Sequence, residues 1–249
     1  MNNDMKRKIF YFLIGISLLF VVSFLGFYTW SQQTYEPSQT LYTLINKDEI
    51  NYEKDWIIFN PTENNHVGIV VYPGAKVEPE AYSYYGKQLA EKGYLVAIPN
   101  VNLNFSLFDT NKMQEIMDSH TSVQNWIVGG HSLGGVSAST FAYDHPSEID
   151  GVILLGSYPS ETTDFSNKNI PMLSIYAEKD GLSTIDKITE TRHLLSTEAA
   201  MYEIKGGNHS QFGIYGKQKG DNQASISVKQ QQDSMVKATI NWLEKNDLK

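Results

Sequence analysis

Trp126-Ile-Val-Gly-Gly-His-Ser-Leu-Gly-Gly135 is the stretch on which the reading of the chain turns. Residues 126–129 are apolar and strand-prone, and 133–143 read as a helix. Between them lies Gly130-His131-Ser132-Leu133-Gly134, a G-x-S-x-G. A strand turning sharply into a helix lifts the Ser132 hydroxyl clear of the backbone. Such a turn needs neighbours without side chains, and Gly130 and Gly134 remove the Cβ atoms that would collide. The N–H of Leu133 then stands at a helix N-terminus, aimed at where charge would develop on an oxygen. The plainer alternative is a glycine-rich helix start with Ser132 as its N-cap.

A serine hydroxyl is a weak nucleophile without a base, and the base needs an acid to orient it. Of the six histidines, His131 is inside the turn, His66 precedes a strand, and His120, His145 and His193 fall at helix ends. His209 differs. It lies in Lys205-Gly-Gly-Asn-His-Ser-Gln-Phe-Gly213, a glycine-flanked loop after the last predicted strand, and such a loop can reach across the top of a sheet. For the acid, Ile175-Tyr-Ala-Glu-Lys-Asp-Gly-Leu182 ends a strand with Asp180, giving the chain order Ser, Asp, His. Glu178 is the competitor, and Asp180-Gly181 also suits a plain turn. A second oxyanion donor is expected from Val70-Val-Tyr-Pro-Gly-Ala-Lys76, as the N–H of Gly74 or Ala75, although Pro73-Gly74 suits an ordinary turn as well.

Outward from this centre, β-rich runs recur at 56–60, 67–72, 94–99, 126–129, 151–155, 172–177 and 200–204. Several are apolar on both faces, as strands of a parallel sheet covered on both sides must be. Helical stretches at 79–92, 111–120, 133–143, 183–195 and 226–244 alternate with them. In the last, Met235, Thr239 and Trp242 share a stripe with Val236, Ile240 and Leu243. The pattern predicts an α/β, doubly wound, mainly parallel sheet flanked by helices.

Residues 9–28 carry no charge, and about 30 Å of helix from such a run matches a bilayer's hydrocarbon core. Lys6, Arg7 and Lys8 precede it and the next basic residue is Lys47, so the positive-inside rule puts the chain beyond Trp30 outside the cytoplasm. The expected layout is a basic segment 1–8, a transmembrane signal anchor 9–30, a polar tether 31–40 and one domain over 41–249. A cleaved signal peptide is the rival, although the run is long for one.

The 249 residues include no cysteine, which removes disulfides, thiolate metal sites and a cysteine nucleophile. A net charge of −8 argues against general nucleic-acid binding. No metal-ligand spacing or phosphate-binding glycine motif appears, so no cofactor is expected.

These residues give the chain a resemblance to the alpha/beta-hydrolase superfamily, in its small dienelactone-hydrolase-like branch. It rests on Tyr72-Pro-Gly74, Tyr82 with Leu89-Ala-Glu-Lys-Gly-Tyr-Leu-Val96, Gly130-His-Ser-Leu-Gly-Gly135, Ala177-Glu-Lys-Asp-Gly181 and Gly206-Gly-Asn-His-Ser-Gln-Phe-Gly213. The resemblance implies Ser132 as nucleophile, Asp180 as acid and His209 as base. Dienelactone hydrolases proper use cysteine, so lactone specificity does not follow. Only residues 157–169 separate two predicted strands where capped relatives carry a large insertion, which predicts an open, uncapped site. Tyr158, Phe212 and Tyr215 are candidates to line it, and each also suits plain packing; Gly220-Asp221 reads as a turn.

The leading expectation is a membrane-anchored extracytoplasmic serine hydrolase of carboxylic esters, small or surface-presented. Amide or peptide hydrolysis by the same residues, and a catalytically silent binding module on the same fold, are the alternatives.

Overall fold

Strands that are apolar on both faces must be covered on both, and this dictates how the layers stack. The computed structural model of the chain describes residues 3–63 and 65–248. Positions 1 and 2 of the basic segment, and 249 at the far end of the domain, lie outside the described residues.

In chain order the elements are α1 (Asn3–Ser31), α2 (Leu41–Leu44), β1 (Asn51–Glu53), β2 (Trp56–Phe59), β3 (Val67–Tyr72), α3 (Ser83–Ala90), β4 (Leu95–Pro99), α4 (Lys112–Ser119), β5 (Asn125–His131), α5 (Leu133–Asp144), β6 (Gly151–Leu155), β7 (Met172–Ala177), α6 (Ile185–Thr191), β8 (Ala200–Ile204) and α7 (Val228–Lys245). Every strand expected from the sequence is present. β1 was not expected: it is three residues long and exposed throughout, so it carries no apolar pattern.

One sheet runs β1-β2-β4-β3-β5-β6-β7-β8. The strands from β4 to β8 in that order are parallel, while β2 and β1 add antiparallel at one edge. Residues alternate between two cores. Ile69, Val71, Ile127, Ile153 and Ile175 face α3 and α7 through Tyr85, Leu89, Met235, Trp242 and Leu243. Val70, Tyr72, Val128, Val152 and Leu154 face α4 and α5 through Met113, Ile116, Ala138 and Phe141. Each fully buried aliphatic side chain of this kind contributes about 1.5–3 kcal/mol.

The register positions the site. Tyr72 pairs with Gly130, His131 with Leu155, Leu155 with Ile175 and Ala177 with Ile204. The loops leaving β3, β5, β6, β7 and β8 therefore emerge along one edge, at the carboxyl ends of the parallel strands, where open α/β sheets hold their ligands. The connection from β6 to β7 contains only turns, with no helix to form a cap.

α1 is a 29-residue helix, with a mean hydropathy of 2.5 in its most apolar window and none of that window buried. By length and composition it is able to cross a membrane. The stretch expected to be a tether is fastened to the body. Ser31 is fully buried, Tyr35 forms a parallel bridge with Val77, and the Ser38 N–H donates to Ile214 O at 2.8 Å.

Candidate active site

Ser132 closes β5 and opens α5 with φ 52° and ψ −120°, a conformation that costs a non-glycine residue on the order of 1–3 kcal/mol. The surroundings hold it there. Its N–H donates to Leu155 O at 3.0 Å, and its carbonyl accepts from Ser157 Oγ at 2.6 Å and from the Gly135 N–H at 3.0 Å. A Cβ on Gly130 would overlap the backbone of Gly134 and Gly135, and one on Gly134 would overlap the carbonyls of Tyr72 and Pro73. Ser132 and Leu133 are half-buried, and the Leu133 N–H meets no acceptor among the described residues.

Asp180 and His209 are brought together. His209 Nδ1 lies 2.7 Å from Asp180 Oδ2, with both side chains fully buried. The other carboxylate oxygen accepts the N–H groups of Leu182 at 2.8 Å and Ser183 at 2.6 Å, which fixes the acid's orientation. A proton on Nδ1 leaves Nε2 as the basic nitrogen. Nε2 is buried and has no hydrogen-bond partner among the described residues, so Ser132 Oγ does not contact it in this structure. The elbow is nevertheless adjacent. The His131 and His209 rings stand 4.5 Å apart, and a Cβ on Gly156, next to Leu155, would come within 3.1 Å of Asp180 Oδ2. Glu178, the competing acid, is exposed and spends its carboxylate on the Gly206 N–H at 2.7 Å.

Two residues absent from the expected site clamp these loops. Asp221, which reads as part of a turn, accepts the N–H groups of Gly181 (3.1 Å) and His209 (3.2 Å) on one oxygen and that of Ser210 (2.8 Å) on the other. One carboxylate thus ties the acid loop to the base loop. Gln231, fully buried on α7, accepts the Asn208 N–H at 3.0 Å and donates to Asn208 O at 2.8 Å. Neither partnership has a local sequence signature.

The loop after β3 corrects one expectation. Gly74 is not a free donor: its N–H goes to Tyr82 Oη at 2.9 Å. Ala75 is left, since its N–H has no acceptor among the described residues while Lys76 N–H bonds Asn104 O at 2.7 Å. Having accepted from Gly74, the Tyr82 hydroxyl donates its own proton to His131 Nδ1, 2.8 Å away. His131 therefore links the elbow to this loop, a role that its place inside the turn does not announce. Burial, reinforced by the neighbouring His209, holds its pKa well below the usual 6.5, so His131 stays neutral. Burial likewise raises the Tyr82 hydroxyl, which stays protonated.

Of the suggested pocket residues, Phe212 is fully buried, 5.6 Å from the His131 ring, and is packing beneath the imidazoles rather than open lining. Tyr215 is also buried, its hydroxyl on Gln218 Oε1 at 2.7 Å. Tyr158 is half-exposed beside Ser157. A cavity of about 440 Å³ borders the base loop through Asn208, Gln211, Asp221 and Asn222, and Ser132 is not among its lining residues. Among the described residues, no three His, Asp or Glu side chains gather in a way that would hold a metal ion.

A model of the alpha/beta hydrolase family matches residues 68–233. No curated protein matches the chain. Among solved structures, it is similar to an alpha/beta hydrolase enzyme from the metagenome of sediments of the Mar Chica lagoon, Morocco. The TM-score is 0.61 at 16% identity, over 80% of this chain and 99% of that one. It is also similar to a protein described as a predicted CIB-like hydrolase from Thermoplasma acidophilum, with a TM-score of 0.59 at 15% identity over 79% and 96%. At such identities these likenesses speak to the fold alone.

Proposed function

This chain belongs to the alpha/beta hydrolase family, and we propose that it is a membrane-anchored serine hydrolase of carboxylic esters with its catalytic domain outside the cytoplasm. The observation that carries the reading is the buried Asp180–His209 pair, whose Nε2 has no partner among the described residues, beside a serine held at φ 52°.

Ser132 Oγ attacks the ester carbonyl as His209 Nε2 takes its proton, and Asp180 stabilises the imidazolium that results. The carbonyl oxygen, now negative, lies against the N–H groups of Leu133 and Ala75, neither of which has another acceptor among the described residues. Collapse of the tetrahedral adduct expels the alcohol, which leaves with the proton from Nε2. Water, deprotonated by the same nitrogen, then releases the acid and restores Ser132. Neutral His131 supports this cycle: a second buried cation beside His209 would oppose formation of the imidazolium.

The anchor reading rests on α1 and on the basic Lys6, Arg7 and Lys8 that precede its apolar run. The test of the whole is labelling by a fluorophosphonate probe together with turnover of short acyl esters. Wild-type chain is expected to label and Ser132→Ala is not; labelling that survives in the alanine variant discards the assignment.

A further inference from the structure

The end of α1 is welded to the catalytic edge by a short loop. Trp30 stacks on Phe105 with centroids 5.6 Å apart, and Phe27 meets Phe105 at 5.9 Å and Phe108 at 6.2 Å. Asn104 Nδ2 donates to Ser31 O at 3.0 Å, and Lys76 Nζ sits 4.2 Å from the centre of the Trp30 ring. The same loop accepts the Lys76 N–H through Asn104 O and reaches α5 through Ser106 Oγ, 2.8 Å from Ser137 Oγ. Beyond the helix, the Tyr35 N–H donates to Lys76 O at 2.6 Å and the Glu78 N–H to Tyr35 O at 3.1 Å. The body cannot swing freely on this attachment.

Leu107 and Phe108, at the tip of that loop, are 47% and 57% exposed. Apolar exposure of this kind, contiguous with an aromatic pair at the end of a membrane-length helix, lies at the level where Trp and Phe settle between headgroups and acyl chains. Ala75 follows Gly74 and precedes Lys76, one Cα–Cα step of about 3.8 Å from the residue that covers Trp30.

We infer that Leu107, Phe108 and Trp30 dip into the bilayer interface, and that the Ser132 site takes long-chain acyl esters dissolved in that bilayer in preference to esters free in water. This substrate class rests on the ester-hydrolase reading above; the bilayer contact does not. The absence of a helical cap between β6 and β7 suits a substrate that arrives from a surface.

Because the chain has no cysteine, Phe108→Cys gives a single labelling position in the 249-residue chain. It is labelled with an NBD fluorophore and reconstituted in phosphatidylcholine–phosphatidylglycerol vesicles, with Tyr202→Cys on the β8 edge for comparison. The label at 108 is expected to emit to the blue and to be quenched by spin-labelled lipid, and the label at 202 to behave as in water. Water-like signals from both overturn the bilayer contact, whether or not the protein hydrolyses anything. The double variant Leu107→Asp/Phe108→Asp, with its melting curve checked against wild type, is then assayed on methylumbelliferyl oleate in the vesicles and on methylumbelliferyl acetate in water. A loss of about tenfold on oleate, with acetate within about twofold, is the expected result. An equal loss on both, or on neither, overturns the substrate class. Wild-type protein inert on both esters removes the ester reading and the substrate class with it, while the fluorophore still decides the contact.

Discussion

The elbow and the acid–base loops lie side by side at one sheet edge, yet they are held in place by different physics. Around Ser132 the constraint is steric: Gly130 and Gly134 sit where any Cβ would enter backbone atoms of the next turn or of β3. Around Asp180 and His209 it is polar: the Asp221 carboxylate and the Gln231 amide gather N–H groups from several turns. A steric constraint admits no adjustment, whereas a hydrogen-bond clamp loosens by degrees. The first should therefore break outright and the second fail gradually.

The largest effect is expected from Gly134→Val. Its side chain would have to displace the carbonyls of Tyr72 and Pro73, which belong to a central strand end, so a destabilisation above about 4 kcal/mol and loss of soluble protein should result. A well-folded, active valine variant would show that the elbow is as adjustable as the loops. Asp221→Ala comes next. It strands the N–H groups of Gly181, His209 and Ser210, with an expected cost of about 2–4 kcal/mol by chemical denaturation and a fall in kcat with little change in KM. Fluorophosphonate labelling should slow without vanishing, since Asp180 and His209 themselves remain.

Tyr82→Phe tests the join between the two regions. It leaves the Gly74 N–H and His131 Nδ1 buried and unpaired, for an expected cost of about 1–3 kcal/mol and a severalfold drop in kcat as Ala75 loses its fixed position. The mildest effect concerns acidity. His131 refuses a proton in the folded chain but accepts one near pH 6.5 once unfolded. Below that value the unfolded state binds more protons, and stability falls by up to about 1.4 kcal/mol per pH unit until the depressed native pKa is reached. In melts between pH 7 and 5, His131→Asn should flatten this slope; an unchanged slope would assign acid sensitivity to other groups.

The same contrast explains how much of the molecule is legible in its sequence. The strands, the uncapped β6–β7 connection, the elbow and the facing of Asp180 toward His209 follow from local patterns, because alternation, glycine spacing and chain order are local properties. Asp221 looks like a turn residue because its partners come from two loops, one of them some forty residues away in the chain. Gly74 looks like a donor because nothing nearby announces that Tyr82 will take its N–H. The segment after α1 looks like a tether because polar residues with a proline suit one; its bonds to Lys76, Glu78 and Ile214 are all distant.

That fastening gives the long first helix a mechanical meaning. Its apolar part, from residue 9 to 30, would measure about 33 Å against a slab of about 30 Å, and helices in such a position lean by about 20° on average. A lean carried through a hinge would be lost, but here it would pass through Ser31 and Tyr35 into the sheet edge that carries Ser132. If α1 spans a bilayer as proposed, the helix would work as a lever, and membrane thickness would set the angle at which Ser132 meets the leaflet. A thicker bilayer would then stand the lever upright and a thinner one tip it, so that the surrounding lipid would also aim the protein.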